Sequence, residues 1–371
     1  MASSGQRRQV FLRMKYSIIV PVYNRPDEAD ELLESLIKQK VENLEFEVII
    51  VEDGSAKPCK EVVEKYRDRL DIKYYAKPNS GPGPSRNYGV ERAKGDYVLI
   101  LDSDVVLPDG YLQAVDKELA EHPCEAFGGP DRAHDSFTMV QKAISYSMTS
   151  FFTTGGIRGG KKKLDKFYPR SFNMGVRRDV YDELGGFSKM RFGEDIDFSY
   201  RIFEAVYQAR LFPEAWVWHK RRTDMDKFFK QVFNSGIARI NLEKRHPGTM
   251  KLVHLLPMVF TVGVTLLLIA AVVLRFAEIS DGASEWLKAG YPFGKTRLGW
   301  WTLPLIPVLL YMFLVFIDSS IRNKSLVVGF LSIEAAFVQL FGYGLGFLKA
   351  WWQRCVLKKG EFAAYEKNFY E

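Results

Sequence analysis

The feature that most constrains this chain is the contrast between its two parts. Charged residues are spread throughout residues 1–251, and from Leu252 onward come three long apolar runs. Leu252–Leu274 is 23 residues without Lys, Arg, Asp or Glu, with His254 near its start. Trp300–Ile317 is 18 uncharged residues, and Leu326–Leu348 is 23 residues with one acid, Glu334. At ~1.5 Å rise per residue a run of 23 spans about 34 Å, enough for a hydrocarbon core ~30 Å thick. Helices buried in soluble domains rarely hold so many uncharged residues. The pattern predicts two or three transmembrane helices over 252–350, with 351–371 as a C-terminal tail and 226–251 as a juxtamembrane segment.

The rest of the composition agrees. Hydrophobic residues at 47% and charged residues at 26% exclude a disordered chain or a fibre. A net charge of +7 suits nucleic acid or an anionic membrane surface. The apolar runs favour the membrane, and the basic residues are scattered without a recognised binding module, so no nucleic acid partner is expected. Cys59, Cys124 and Cys355 cannot all pair, which excludes a fully paired disulfide framework and a Cys-x-x-Cys zinc site. They suit a reducing cytoplasmic face. The opening residues, 1–14 being a tail, hold no apolar run of the signal-peptide kind. The soluble part is therefore expected in the cytoplasm, at a bacterial inner membrane. Arg239, Lys244, Arg245 and Lys251 ahead of the first run agree with positive-inside entry. Three full spans would put Lys349, Arg354, Lys358 and Lys359 outside, against that rule, so either one run is re-entrant or the tail breaks the rule. Gly342, Gly344 and Gly346 read as sites of close helix packing, and Trp300, Trp301, Trp351 and Trp352 as interface markers. Glu334 serves a substrate or pairs with a neighbouring helix.

Upstream, short β-branched runs alternate with helical stripes. Strands are expected at Tyr16–Val20, Phe46–Val51, Ile72–Tyr75 and Tyr97–Leu101. Helices are expected at Pro26–Gln39, near Cys59–Leu70 and at Pro84–Ala93. Such alternation means an open, mostly parallel α/β sheet, whose ligands bind at the carboxyl ends of the strands. The acidic and glycine-rich features fall at that edge: Glu52-Asp53-Gly54-Ser55 and Asp102-Ser-Asp104.

Asp102 and Asp104 are two apart at the end of an apolar strand, where residues i and i+2 project to one side. Two carboxylates so placed repel unless a cation sits between them. A hard divalent ion, Mg²⁺ or Mn²⁺, takes oxygen ligands and bridges to phosphate. Alternatively, Asp104 caps a helix opening at Pro108-Asp109. Glu194-Asp195 opens another apparent helix, Asp195–Ala205, either as an acidic cap on its dipole or as chemistry. Gly155–Lys166 reads as a loop, and the wider Gly155–Arg170 is basic enough to contact anionic headgroups or a lipid diphosphate.

Pro21-Val-Tyr23-Asn-Arg25, Val51-Glu-Asp53-Gly-Ser55, Asn79-Ser-Gly-Pro-Gly-Pro-Ser-Arg86-Asn87 and Leu101-Asp102-Ser-Asp104 occur in that order. Together they resemble the nucleotide-binding half of family 2 glycosyltransferases with the GT-A fold. Phe172-Asn-Met-Gly175, Arg177-Arg178, Leu184-Gly-Gly-Phe187 and Gly193-Glu194-Asp195 resemble its acceptor side, and Trp218-His219 its late histidine. The resemblance covers roughly 15–240 and implies a GT-A catalytic domain over 15–225, a doubly wound mixed sheet.

It also implies roles. Pro21, Tyr23, Asp53, Arg86, Asn87 and Asp102 would bind the nucleotide sugar, with Tyr23 stacking on the base and Asp53 accepting from the N3–H of a uracil. Arg86 would offer its fork to ribose or phosphate. Asp104, Asp102 and His219 would hold Mg²⁺ or Mn²⁺, and Asp195, with Glu194 beside it, would be the general base. The Gln-x-x-Arg-Trp motif of the family's processive synthases is missing after His219, where the chain reads Gln231-Val-Phe-Asn-Ser-Gly-Ile-Ala-Arg239. That argues for one sugar per visit. The apolar stripe Phe228, Phe229, Val232, Phe233, Ile237 and Ile240 lies on the bilayer surface or packs in a core.

The resulting expectation is a membrane-anchored inverting transferase acting from a UDP- or GDP-sugar on a saccharide or lipid-linked saccharide. The competing readings are a polyprenyl-phosphate glycosyltransferase and a non-catalytic nucleotide-binding membrane protein.

Overall fold

In the computed structural model the described residues are 14–39, 44–132, 137–154, 167–220, 223–280, 282–293 and 296–361. The stretch Gly155–Lys166 and the tail beyond 361 lie outside them. The described chain forms two compact units, one from 14–39, 44–132 and 167–220, the other from 137–154 and 223–361.

The first unit is built on strands β1 (Lys15–Val22), β2 (Glu45–Asp53), β3 (Ile72–Lys77) and β4 (Tyr97–Leu101). These run parallel in the order β3-β2-β1-β4. Parallel strands need crossovers, and α1 (Pro26–Ile37), α2 (Lys60–Glu64) and α3 (Pro82–Val90) supply them. Every residue of β4 is buried, as a parallel strand covered on both faces must be. On one face Ile18, Val20, Val48 and Ile50 pack on Leu32, Leu33 and Leu36 of α1. On the other, Ile19, Ile49 and Ile100 pack with Val90 of α3. The expected helix over Cys59–Leu70 is regular only across α2. Beyond it the chain turns, and the Tyr66 hydroxyl donates to Asp30 Oδ1 (2.8 Å).

After β4 the chain makes β5 (Val105–Val106), α4 (Tyr111–Glu121), β6 (Ala126–Gly128) and β7 (Asp131–Arg132). In the second unit α5 (Met139–Thr149) and α6 (Phe151–Thr154) follow. The chain then returns to the first unit as β8 (Asn173–Arg177), α7 (Arg178–Glu183), α8 (Glu194–Glu204), β9 (Ala209–Leu211) and β10 (Val217–His219). Strand β8 lies antiparallel between β4 and β6, and β9 extends β6 in parallel, giving a mixed seven-stranded sheet. A small second sheet, β5-β10-β7, stands beside it.

The second unit contains α9 (Met225–Arg245), α10 (Leu256–Ile279), α11 (Glu285–Ala289), α12 (Ile306–Asn323) and α13 (Leu326–Trp351). Three segments, Leu256–Ile279, Trp300–Asn323 and Leu326–Val356, are helices long and apolar enough to cross a membrane. The first apolar run does not begin as an α-helix. Leu252–His254 is a 3₁₀ turn, and the α-helix starts where Pro257, which lacks an N–H, is tolerated. The stripe on α9 is packed: Phe228 and Val232 bury against Val328 and Ala335 of α13 and Ala143 and Ile144 of α5. The glycines of α13 sit where helices come closest. A Cβ on Gly342 would lie 2.5 Å from Val232 Cγ2, and one on Gly346 would lie 2.0 Å from the Phe233 carbonyl, both on α9. One on Gly344 would lie 2.2 Å from Thr261 Oγ1 of α10.

Candidate active site

Because β1, β2 and β4 are parallel, Tyr23, Asp53 and Asp102 leave the sheet at one edge. The turns there are tied together. Asn24 donates its backbone N–H to Ser55 Oγ (2.8 Å) and accepts at Oδ1 from Lys57 N (3.0 Å). Pro21 sits in register with Val51 inside the ladder, and Tyr23 is half-buried just beyond it. Asp53 is buried and fully engaged. Its carboxylate accepts from Ser80 N and Gly81 N (2.9 Å each), from Asn79 Nδ2 (3.3 Å) and from Lys77 Nζ. It thereby holds the turn that feeds α3, so a base N–H could reach it only by displacing one of these donors. Asn87 holds a different turn: Oδ1 accepts from the Tyr181 hydroxyl (2.7 Å) and Phe187 N (2.9 Å), and Nδ2 donates to the Phe187 carbonyl (2.9 Å).

Asp104 does not cap a helix, since α4 begins at Tyr111 behind Gly110. Its neighbourhood is set by β5 and β10, whose antiparallel register puts His219 opposite Val105. His219 Nε2 lies 3.2 Å from Asp104 Oδ1 and its Nδ1 lies 3.9 Å from Asp131 Oδ2. The imidazole stacks on Phe172, with ring centroids 4.8 Å apart. Arg25 approaches Asp104 from the β1 edge at 3.9 Å. Asp102, Asp104 and His219 each offer a ligand atom, all within 4.8 Å of one another and all half-buried. Two carboxylate oxygens and one imidazole nitrogen match Mn²⁺ or Mg²⁺ in donor type, and a divalent charge relieves the repulsion between the acids.

Arg86 is the centre of the site. Rather than standing open for ribose or phosphate, its Nη2 donates to Asp102 Oδ1 and its Nη1 to Glu194 Oε1, each at 2.8 Å. It is 3% exposed and lies over the Phe187 ring. Burial opposes its charge, but Asp102 and Glu194 outweigh burial and hold it protonated. Glu194 and Asp195 occupy the first turn of α8, which Gly193 enters at φ +85°, a conformation that favours glycine. Burial pushes the Glu194 carboxyl above its usual range despite Arg86. Asp195 goes the other way. Burial raises it, but the adjacent Arg170 guanidinium overcomes burial and holds the carboxyl below its usual range. Arg170 Nε donates to Asp195 Oδ2 at 2.7 Å, and Ile196 N to Asp195 Oδ1 at 2.9 Å. Sequence reasoning placed Arg170 only in a basic loop, placed Phe172 in an acceptor-side motif without its stacking on His219, and missed Asp131 and Lys77. No local pattern joins positions so far apart.

A half-parallel sheet with an acidic edge, closed by an antiparallel β8 and a separate β5-β10-β7 sheet, is the GT-A glycosyltransferase fold. The mannosyltransferase PcManGT of Pyrobaculum calidifontis, solved with GDP-Man and Mn²⁺, has the same fold. It superposes with a TM-score of 0.61 at 16% identity, over 93% of this chain and 89% of that one. Residues 17–185 match the model of the family described as Glycosyl transferase family 2, so the chain carries a domain of that family. Among curated relatives, the poly(ribitol-phosphate) beta-N-acetylglucosaminyltransferase TarS of Staphylococcus aureus is 46% identical over 93 residues, 24% of this chain and 16% of that protein. The chondroitin synthase of Pasteurella multocida is 27% identical over 237 residues, 55% of this chain and 24% of that protein. The chain thus matches only a minor part of the length of these two relatives. The fold expected from the ordered motifs is the one found, and residues 17–185 match the family those motifs resemble.

Proposed function

We propose that this chain is a membrane-anchored, inverting glycosyltransferase. It would move a sugar from a nucleotide-diphosphate donor, a UDP- or GDP-sugar, to a hydroxyl of a saccharide or lipid-linked saccharide in cell-surface glycan synthesis. The observation that carries this reading is the pair of charged hydrogen bonds that Arg86 donates: one buried cation joins Asp102, at the candidate metal group, to Glu194, beside the candidate base. Donor-side and acceptor-side carboxylates therefore form a single charged constellation inside one unit.

In this reading Tyr23 and Pro21 frame the nucleoside, and Asp53 and Asn87 hold the turns around it. Asp102, Asp104 and His219 would hold Mg²⁺ or Mn²⁺, which when bound neutralises charge on the donor diphosphate as the nucleotide leaves. Asp195 takes the proton from the acceptor hydroxyl while that oxygen bonds to the anomeric carbon and the bond to the diphosphate oxygen breaks on the opposite face. Positioned base catalysis of this kind contributes ~10²–10⁴-fold. The three long apolar helices support membrane anchoring, and the basic residues ahead of the first support a cytoplasmic catalytic unit. The relatives' names, for sugar addition to poly(ribitol-phosphate) and for chondroitin synthesis, support a saccharide or polyol polymer as acceptor. The absence of Gln-x-x-Arg-Trp supports addition of single sugars.

The test is a screen of radiolabelled UDP- and GDP-sugars on membranes carrying the chain, with Mn²⁺ and with Mg²⁺. At least one donor should yield labelled glycan or glycolipid that membranes without the chain do not make. No transfer and no donor hydrolysis from any of them would overturn the reading.

A further inference from the structure

Arg170 does more than line the acceptor side. It stands just ahead of β8, pairs in an isolated antiparallel bridge with Asn173, and sends its side chain to the first turn of α8. There Nε donates to Asp195 Oδ2 at 2.7 Å, while the backbone N–H of Ile196 takes Oδ1. The carboxylate is therefore held at both oxygens, which fixes its plane. The same few residues also reach the other half of the site. Phe172 stacks on His219, and Asn173 donates to the Ala215 carbonyl (2.8 Å) and accepts from the Tyr111 hydroxyl (2.6 Å). These bonds fix the backbone from which Arg170 projects, so the reach of its guanidinium is set by the wall that carries the candidate metal ligand.

We propose that Arg170 is the positioning residue for Asp195: its Nε–H bond to Oδ2 aims the carboxylate at the acceptor hydroxyl. This rests on the reading of Asp195 as general base. The groups that face Asp195 are Arg170 from the segment before β8, Arg86 from α3, and Glu194 beside it on α8. Arg170 in turn feels Asp195, Glu194 and Asp131. Among the described residues Arg170 and Arg86 act on Asp195, and Arg86 is already committed to Asp102 and Glu194. Arg170 is thus the described cation that bonds Asp195 directly, and the planar guanidinium gives its Nε–H a fixed direction toward Oδ2 that a rotating ammonium does not reproduce. The sign of its effect on pH dependence follows. With Arg170 present the Asp195 carboxyl lies below its usual range, so activity survives to low pH. Without it, burial and Glu194 act on Asp195 with less opposition, and protonation sets in at higher pH.

The experiment compares pH profiles of kcat/KM for donor turnover, by transfer or by acceptor-free hydrolysis, in the full chain and in Arg170→Gln, Arg170→Lys and Asp195→Asn. For Arg170→Gln the acid limb should move up by at least about one pH unit, and kcat at its plateau should fall ~10-fold or more, with donor KM and the metal requirement unchanged. Arg170→Lys should restore the acid limb, because the charge returns, but only part of kcat, because the directed Nε–H bond to Oδ2 does not. The limb belongs to Asp195 and Glu194 as a pair, so its position rather than a site assignment is read. An unmoved limb and unchanged kcat in Arg170→Gln, with Asp195→Asn inactive, would overturn this inference alone. A raised donor KM at constant kcat would likewise overturn it and assign Arg170 to the donor. Full activity of Asp195→Asn would overturn the base reading beneath it.

Discussion

At the scale of single residues the site is a series of paired polar groups: Asp104 beside the His219 imidazole, Asp102 on Arg86, Arg86 on Glu194, and Asp195 on Arg170. Each link keeps a half-buried or buried acid from facing another acid alone. Asp195→Asn keeps the shape of the side chain but removes the proposed proton acceptor. Its kcat should fall by roughly 10²-fold or more while donor KM stays nearly constant. Loss of donor binding instead would move Asp195 to the nucleotide site. Arg86→Met tests the centre of the series. It leaves Glu194 and Asp102 without their shared cation, and breaking such buried pairs costs about 3–5 kcal/mol. Thermal unfolding should show a large loss of stability, and a melting temperature within a degree or two of wild type would show that Arg86 is not holding these acids.

At the scale of elements, what was legible in the sequence was what local pattern decides. Strands β1 to β4 and helices α1 and α3 could be read because an apolar run of four to six residues between helical stripes has one stable use, a covered parallel strand. Asp102, Asp104 and His219 could be nominated because the two acids stand two apart at a strand end and the histidine follows from the family motif. Strands β6, β7 and β9 could not be read: each has only two or three residues, and pairing with a distant partner makes them strands, β8 for β6, β10 for β7 and β6 for β9. The Arg170–Asp195 bond was hidden for the same reason. Helix α5 did carry a readable start, the capping box of Thr138 and Gln141, with Gln141 N donating to Thr138 Oγ1 at 3.2 Å and Thr138 N to Gln141 Oε1 at 3.0 Å. In the apolar unit the small residues set the approach of α9 to α13. A Cβ at Gly236 would lie 2.2 Å from the Tyr343 carbonyl and one at Gly346 2.0 Å from the Phe233 carbonyl, and backbone cannot yield as a side chain can. Gly236→Ala and Gly346→Ala should each destabilise the detergent-solubilised protein by about 1–3 kcal/mol. Gly263→Ala in α10 meets nothing within 4 Å and should be neutral or mildly stabilising. Equal melting temperatures for all three variants would contradict the close packing of α9 on α13.

At the scale of the whole molecule, one unit carries the carboxylate edge and the other three helices of membrane-crossing length. If those helices anchor the chain, it should stay in the membrane pellet through high salt and alkaline carbonate and come out only with detergent; release by carbonate would make it peripheral. The central proposal is that Asp102, Asp104 and His219 form a divalent-cation site through which a nucleotide sugar is used. The most direct measurement is turnover of the donor found by screening, using the full chain in detergent or lipid nanodiscs, titrated with EDTA and then with Mn²⁺ or Mg²⁺, for wild type and Asp104→Ala. Wild-type turnover should vanish in EDTA and return with the added cation, and Asp104→Ala should be inactive at every cation concentration while melting like the wild type. Undiminished turnover in EDTA, or by Asp104→Ala, would contradict it.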